Sequence, residues 1–323
     1  MSKSTLLRQI ILILFFLAIP FFGGAFIIDT ITRCLIWGIF AMAYVLLYGY
    51  TGIASFGHSV FFGMGAYSAG IIAVTVFGVA NPLVHFAVAI VVGAMLGLLI
   101  GFFCTFTKGI YTALVSFAFA HVFWLFAMAN PMGITRGESG ITGVRPPPIY
   151  VGGFEVNFFR GVNFYFLIII ILIISYVILK TITNLPIGDV LNGIRENENR
   201  LLSLGYNVRQ YKLFAFAVSG VFSAISGVLM AYLDNVVVPQ FVQWDVGATV
   251  LLMTILGGSE TLIGPLLGSF AVELSKAYVT PLLGGGNWVF FLGSLYILVI
   301  MLLPRGIYGL LKRLFPTPEQ NKV

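Results

Sequence analysis

The sequence predicts an all-α polytopic membrane protein of about 8–10 transmembrane helices, and three observations carry that expectation. Hydrophobic residues make up 59% of the 323-residue chain and charged residues only 9%, too little polar surface to cover a water-soluble globule of this length. Apolar runs long enough to cross a hydrocarbon core of about 30 Å recur from end to end. Glycines cluster inside two of those runs, where broken or short helices are expected. The whole chain, 1–323, reads as a single transmembrane domain.

The first run, 9–28, has spanning length and no A-x-A cleavage pattern, so it reads as an uncleaved span rather than a signal peptide. Further spans are expected at 34–51, 59–80, 83–107, 110–130, 163–180 and 213–233, with a last one at 288–304. The stretch 246–283 is interrupted at Gly257, Gly258, Ser259, Glu260 and Thr261 and reads as two passes or a broken helix. Ten segments result. Lys3, Arg8, Lys108, Lys180, the loop 181–212, Arg305, Lys312 and Arg313 then fall on one side, which places both termini in the cytoplasm. The formal charge of +6 follows from this asymmetry, since the basic residues stand singly at the ends of apolar runs, not in the stripes that nucleic acid would require. Cys34 and Cys104 lack metal-ligand or redox spacing and read as small core residues.

The loop 181–212 is unusually charged, with Asp189, Arg195, Glu196, Glu198, Arg200, Arg209 and Lys212 in a short stretch. Asp189 is expected to cap a helix running to about Leu204, with Gly205 as its left-handed C-terminal cap. Val190, Leu191, Ile194, Leu201, Leu202 and Leu204 fall in one arc, interrupted by Asn197 and Glu198, while Glu196 and Arg200 are spaced for an intrahelical pair. Such a helix suits docking to a soluble partner or lying on a membrane surface. On the other side, the loop 131–162 carries Arg136, Glu138, Arg145, Glu155 and Arg160 beside Pro146, Pro147 and Pro148, and reads as an external contact surface or a plain connector.

No phosphate loop, nucleophile elbow or paired metal ligands occur in the sequence. His58, His85 and His121 are scattered, and a lone histidine in such a helix is expected to bond a neighbouring helix. Glu273 and Lys276 are three residues apart and can neutralise each other. Few ionisable residues lie deep in the spans, which favours an energy source outside this chain. Gly49, Gly52, Gly57, Gly63 and Gly65 in the first half, and Gly257, Gly258, Gly264 and Gly268 in the second, suggest a pore-lining repeat or close helix packing.

The first glycine cluster, read in full, is Gly49-Tyr50-Thr51-Gly52-Ile53-Ala54-Ser55-Phe56-Gly57-His58 followed by Phe61-Phe62-Gly63-Met64-Gly65-Ala66-Tyr67. It resembles the signature of permeases from branched-chain amino acid ABC importers. Thr135 to Gly140, Ile194 to Glu198 with Leu204-Gly205, the run Leu256-Gly257-Gly258 with Thr261 and Gly264-Pro265, and Pro304-Arg305-Gly306 are similar to further family elements in the expected order. The chain is similar to the LivM type of subunit, which pairs with a related LivH type in the family. Arg136 and Glu260 stand where the family commonly has glycine, and His121 where an acidic or amide residue is frequent.

The resemblance implies a bacterial inner-membrane subunit, not an enzyme, whose partners are a LivH-like permease, two LivG/LivF-like ATPases, a periplasmic or lipid-anchored binding protein and membrane lipid. It implies no cofactor in this chain, with ATP and Mg bound by the ATPases. Asp189, Ile194, Arg195, Glu196, Glu198, Arg200, Leu201 and Gly205 would form the ATPase-coupling element. Gly49, Gly52, Ser55, Gly57, His58, Gly63, Gly65, Tyr67, Gly257, Gly258, Thr261, Gly264 and Pro265 would shape the pore. Arg136, Glu138 and Arg145 would meet the binding protein. The implied cargo is leucine, isoleucine or valine, with urea or short-chain amides, ion-coupled transport or a passive channel as alternatives.

Overall fold

The computed structural model describes Pro20, residues 23–75, 81–146, 149–151 and 154–156, Phe158, and residues 161–283, 288–302 and 306–314. Most of the expected first span, with Lys3 and Arg8, lies outside the described residues, as do Pro147, Pro148, Arg160 and Arg305.

Helix α1 (Ala25–Thr51) begins earlier than the apolar pattern suggests, and the expected break between 28 and 34 is helical. Arg33 is tolerated inside it because it pairs with Asp234 of a distant helix at 2.5 Å. Gly52, at φ 75°, ends α1 by returning its N–H to the Tyr48 carbonyl. Helix α2 (His58–Gly70) continues into a π-helical turn at Ile71–Thr75. Helix α3 (Pro82–Cys104) starts on Asn81, whose side chain accepts from Leu83 N–H, with Pro82 in the first turn. Helix α4 (Ile110–Ala129) leads into the short strand β1 (Ile141–Thr142) and the hairpin of β2 (Ile149–Val151) with β3 (Phe154–Val156).

Helix α5 (Val162–Asn184) is followed by α6 (Pro186–Ser203) and then by α7 (Val208–Asp234). Strand β4 (Val236–Val237) pairs antiparallel with β1, placing Ile141 opposite Val237. A 3-10 turn (Pro239–Val242) precedes α8 (Trp244–Gly257), and α9 (Ile263–Leu283), α10 (Trp288–Leu302) and α11 (Gly306–Leu314) complete the order.

Among the described residues, α1, α3, α4, α5 and α7 are long and apolar enough to cross a membrane, while α2 with its π turn and α8 are shorter apolar helices. The interrupted stretch 246–283 therefore forms two helices. Helices α1 and α7 are buried along most of their length. Helices α3, α4 and α5 instead expose apolar side chains such as Met95, Val122 and Ile174, a surface suited to hydrocarbon. Glycines set the closest packing: Gly93 and Gly97 of α3 lie against the backbone of α7 at Gly220 and Phe216, where no Cβ would fit.

Candidate functional site

Helix α2 begins in the interior of the bundle. After Gly52 the chain turns back along α1, where Ser55 N–H donates to the Tyr44 hydroxyl at 3.0 Å. Helix α2 then starts at His58, whose Nε2 lies 2.8 Å from Ser219 Oγ, while Ser219 Oγ lies 2.7 Å from the Ala43 carbonyl. Ala43 is eight residues from the end of α1, or about 12 Å along the axis, so α2 begins well inside the membrane layer. The expected 59–80 span is helical over His58–Thr75, and its remainder, 76–80, lies outside the described residues. A carbonyl can only accept, so the Ser219 proton goes to Ala43 and the His58 proton sits on Nε2. His58 Nδ1 is left as a buried acceptor without a partner, and Ser55 Oγ and Tyr67 Oη are likewise buried and unpartnered among the described residues.

Helix α8 starts beside this point. The turn before it presents Phe241 and Val242 to Gly63, and Gly247 in its first turn lies against the Phe56 carbonyl. Gly57 meets the backbone of Ser116 on α4, whose hydroxyl accepts from Phe56 N–H at 3.0 Å. Gly65 packs against the backbone of α7 at Ala224. The other end of α8 turns through Gly258, at φ 106°, into α9. Thr261 Oγ1 accepts from Gly264 N–H at 3.1 Å and caps α9, where Pro265 needs no partner for its missing N–H. Gly257 packs on Gly264, Gly268 on Met253, and Gly49 on the Ser259 carbonyl. The first glycine cluster therefore meets the α8–α9 turn at Ser259, through Gly49, and the start of α8 at Gly247, through Phe56.

Helix α6 lies at the end of this arrangement and departs from expectation in three ways. It starts at Pro186, so Asp189 is not the cap but a first-turn acid, where the helix dipole favours negative charge. It is broken at Asn197 (φ −161°, ψ 97°), whose side chain caps the following turn through Arg200 N–H at 3.1 Å. The break carries Glu196 and Arg200 off one continuous helix, and no ion pair joins them. It also dissolves the apolar arc: Leu191 and Ile194 are buried, whereas Leu202 and Leu204 are 50% and 66% exposed.

Two charged residues of α6 tie it to the neighbouring helices, while Asp189, Glu196 and Arg200 stay exposed. Arg195 donates to the Gly49 carbonyl at 2.7 Å, and Glu198 pairs with the buried Lys212 of α7 at 2.8 Å. Beside this pair a pocket of about 110 Å³ is lined by Thr51, Ile53, Lys108 and Thr112. The C-terminal cap is as expected: Gly205 at φ 85° sends its N–H to Leu202, and Tyr206 N–H returns to Leu201. Lys212 and the Gly49 carbonyl are the partners that sequence reasoning missed. A lysine at the membrane edge and a backbone oxygen carry no signal in a linear pattern.

At the opposite end, the loop after α4 is built, not slack. Asn130 Oδ1 accepts from Thr135 Oγ1 and from Arg136 N–H at 2.8 Å. Arg136 takes φ 57°, the conformation for which glycine is the usual choice. Arg136, Glu138 and Arg145 are all exposed on this loop, while Thr135 is buried beneath it.

An all-α bundle of apolar helices, with a helix start and unpartnered polar groups at its centre, defines a membrane transport subunit. Residues 26–302 match the family described as branched-chain amino acid transport system / permease component, and the chain belongs to that family. It is 24% identical over 313 residues to the high-affinity branched-chain amino acid transport system permease protein LivM of Escherichia coli K12, covering 89% of this chain and 71% of that one. It is 26% identical over 287 residues to the probable LivM permease of Methanocaldococcus jannaschii, covering 77% and 81%. A probable LivH permease of the same archaeon is 28% identical over 178 residues, about half of each chain. No solved structure gives a significant match.

Proposed function

We propose that the chain is one of two permease subunits of an ATP-driven importer of leucine, isoleucine and valine in a bacterial inner membrane. The α6 end faces the cytoplasm, with both termini, and the loop 131–162 faces outward. ATP and Mg bind to two partner ATPases, and a binding protein delivers cargo to the outer face near Arg136, Glu138 and Arg145.

The observation that carries this reading is the pair of ties from α6 to the interior. Arg195 grips the last turn of α1 and Glu198 grips the first turn of α7. A force on α6 therefore reaches the two buried helices that bracket the His58 and Ser219 contact. Leu202, Leu204 and Tyr206 remain exposed beyond the break, an apolar surface for the groove of an ATPase. ATP-driven closure of the ATPases would move α6 and switch the interior between outward and inward access.

The test is uptake into vesicles that hold this chain with its second permease, the ATPases and the binding protein. Leucine uptake that stops on ATP depletion at a maintained ion gradient supports the reading. Uptake that persists would favour ion coupling, and uptake of urea or short-chain amides in place of leucine would change the cargo.

A further inference from the structure

Two opposite charges face each other where α8 and α9 lie side by side. The hairpin is antiparallel, with Gly257 on Gly264 and Gly268 on Met253. The same register carried along both helices sets Asp245 opposite Lys276, and the two lie within electrostatic reach of each other. Both side chains are exposed on the surface of the chain. They do not touch: among the described residues the ion pairs are Arg33 with Asp234 and Lys212 with Glu198. Asp245 Oδ1 accepts from Val246 N–H at 2.9 Å.

Next to them is an aromatic wall. Trp244 is 40% exposed and its ring lies 5.7 Å from Phe117 of α4, which in turn stacks on His121. Glu273, one turn before Lys276 on α9, is buried and lies within electrostatic reach of both Lys276 and Arg33. Charges on a membrane helix are costly where they meet hydrocarbon, so this face opens on water or on a polar partner.

A carboxylate, an ammonium group and an apolar wall, with a gap between the charges, complement a zwitterionic amino acid with an apolar side chain. We propose that Asp245 receives the α-ammonium group and Lys276 the α-carboxylate of the cargo during passage, with Trp244 and Phe117 against its side chain. The proposal rests on the permease reading above.

The experiment is leucine uptake by the complete importer in vesicles, comparing wild type with Asp245→Asn, Lys276→Gln and the charge-swapped D245K/K276D. A charge-assisted hydrogen bond is worth about 1.5–3 kcal/mol, so each single variant should lose about 10- to 100-fold in uptake at low cargo concentration while keeping its partner subunits. The swap should stay impaired, because the aromatic wall fixes which way round the cargo lies. Wild-type uptake in either single variant overturns the proposal, and so does recovery in the swap, which would mark a plain internal pair. Loss of the second permease from the single variants would overturn it too, in favour of an ion pair between subunits. A wild-type importer that takes up no leucine sinks the permease reading itself, and this proposal with it.

Discussion

Arg195 sits on one of the carbonyls that a helix C-terminus leaves without an intrahelical donor, and its charge also suits the negative end of the α1 dipole. Such a contact on an exposed side chain contributes about 0.3–1 kcal/mol, too little to decide whether the chain folds. It is enough to transmit motion, because it joins α6 to the turn in which α1 ends. Arg195→Ala should therefore leave the purified complex intact and raise the ATP hydrolysed per leucine imported. An unchanged ratio would remove Arg195 from the coupling path. Glycines give the opposite balance. A methyl group at Gly268 would run into the Met253 carbonyl, whereas one at Gly24 would meet nothing within 4 Å. Gly268→Ala should cost about 1–3 kcal/mol as overpacking and lower the unfolding temperature in detergent, and Gly24→Ala should not. Equal melting of the two variants would show that α8 and α9 can separate freely.

At the level of elements, what could be read in the sequence depended on where the determining contact lies. The Gly205 cap was legible because a left-handed residue after an apolar run is a local requirement. The start of α6 was mistaken for Asp189 although Pro186 carries its own local signal, a proline suited to the first helical turn. The break at Asn197 is visible in the sequence only as an interruption of the apolar arc, since the Glu198 and Lys212 pair that accompanies it joins residues of different helices. The interior start of α2 is hidden for a different reason. Hydropathy reports removal from water and does not distinguish a helix that crosses lipid from one that begins inside protein. Breaking α6 on the far side of Asn197 isolates the second, exposed turn from the first. Leu201→Pro removes the Leu201 position from that turn, and should abolish uptake while α1 and α7 stay folded. Normal uptake by a Leu201→Pro protein that reaches the membrane would exclude the second turn from coupling.

At the scale of the molecule the surface divides into two kinds. Helices α3 and α5, and the Val122 side of α4, present apolar side chains, whereas the surface formed by the rest of α4 with α8 and α9 combines aromatics with His121, Asp245 and Lys276. Lipid can cover the first surface at no polar cost, but it cannot cover the second without several kcal/mol of penalty. In the importer proposed above, the second permease would stand over the polar face and enclose water there. Spin labels test this division in the assembled importer. A label at Met95→Cys should relax with lipid-soluble oxygen, and one at Trp244→Cys with a water-soluble nickel complex. If both positions respond to oxygen alone, the polar face looks onto lipid, and the translocation path must lie elsewhere, between α1, α2 and α7, where His58 keeps its unpartnered nitrogen.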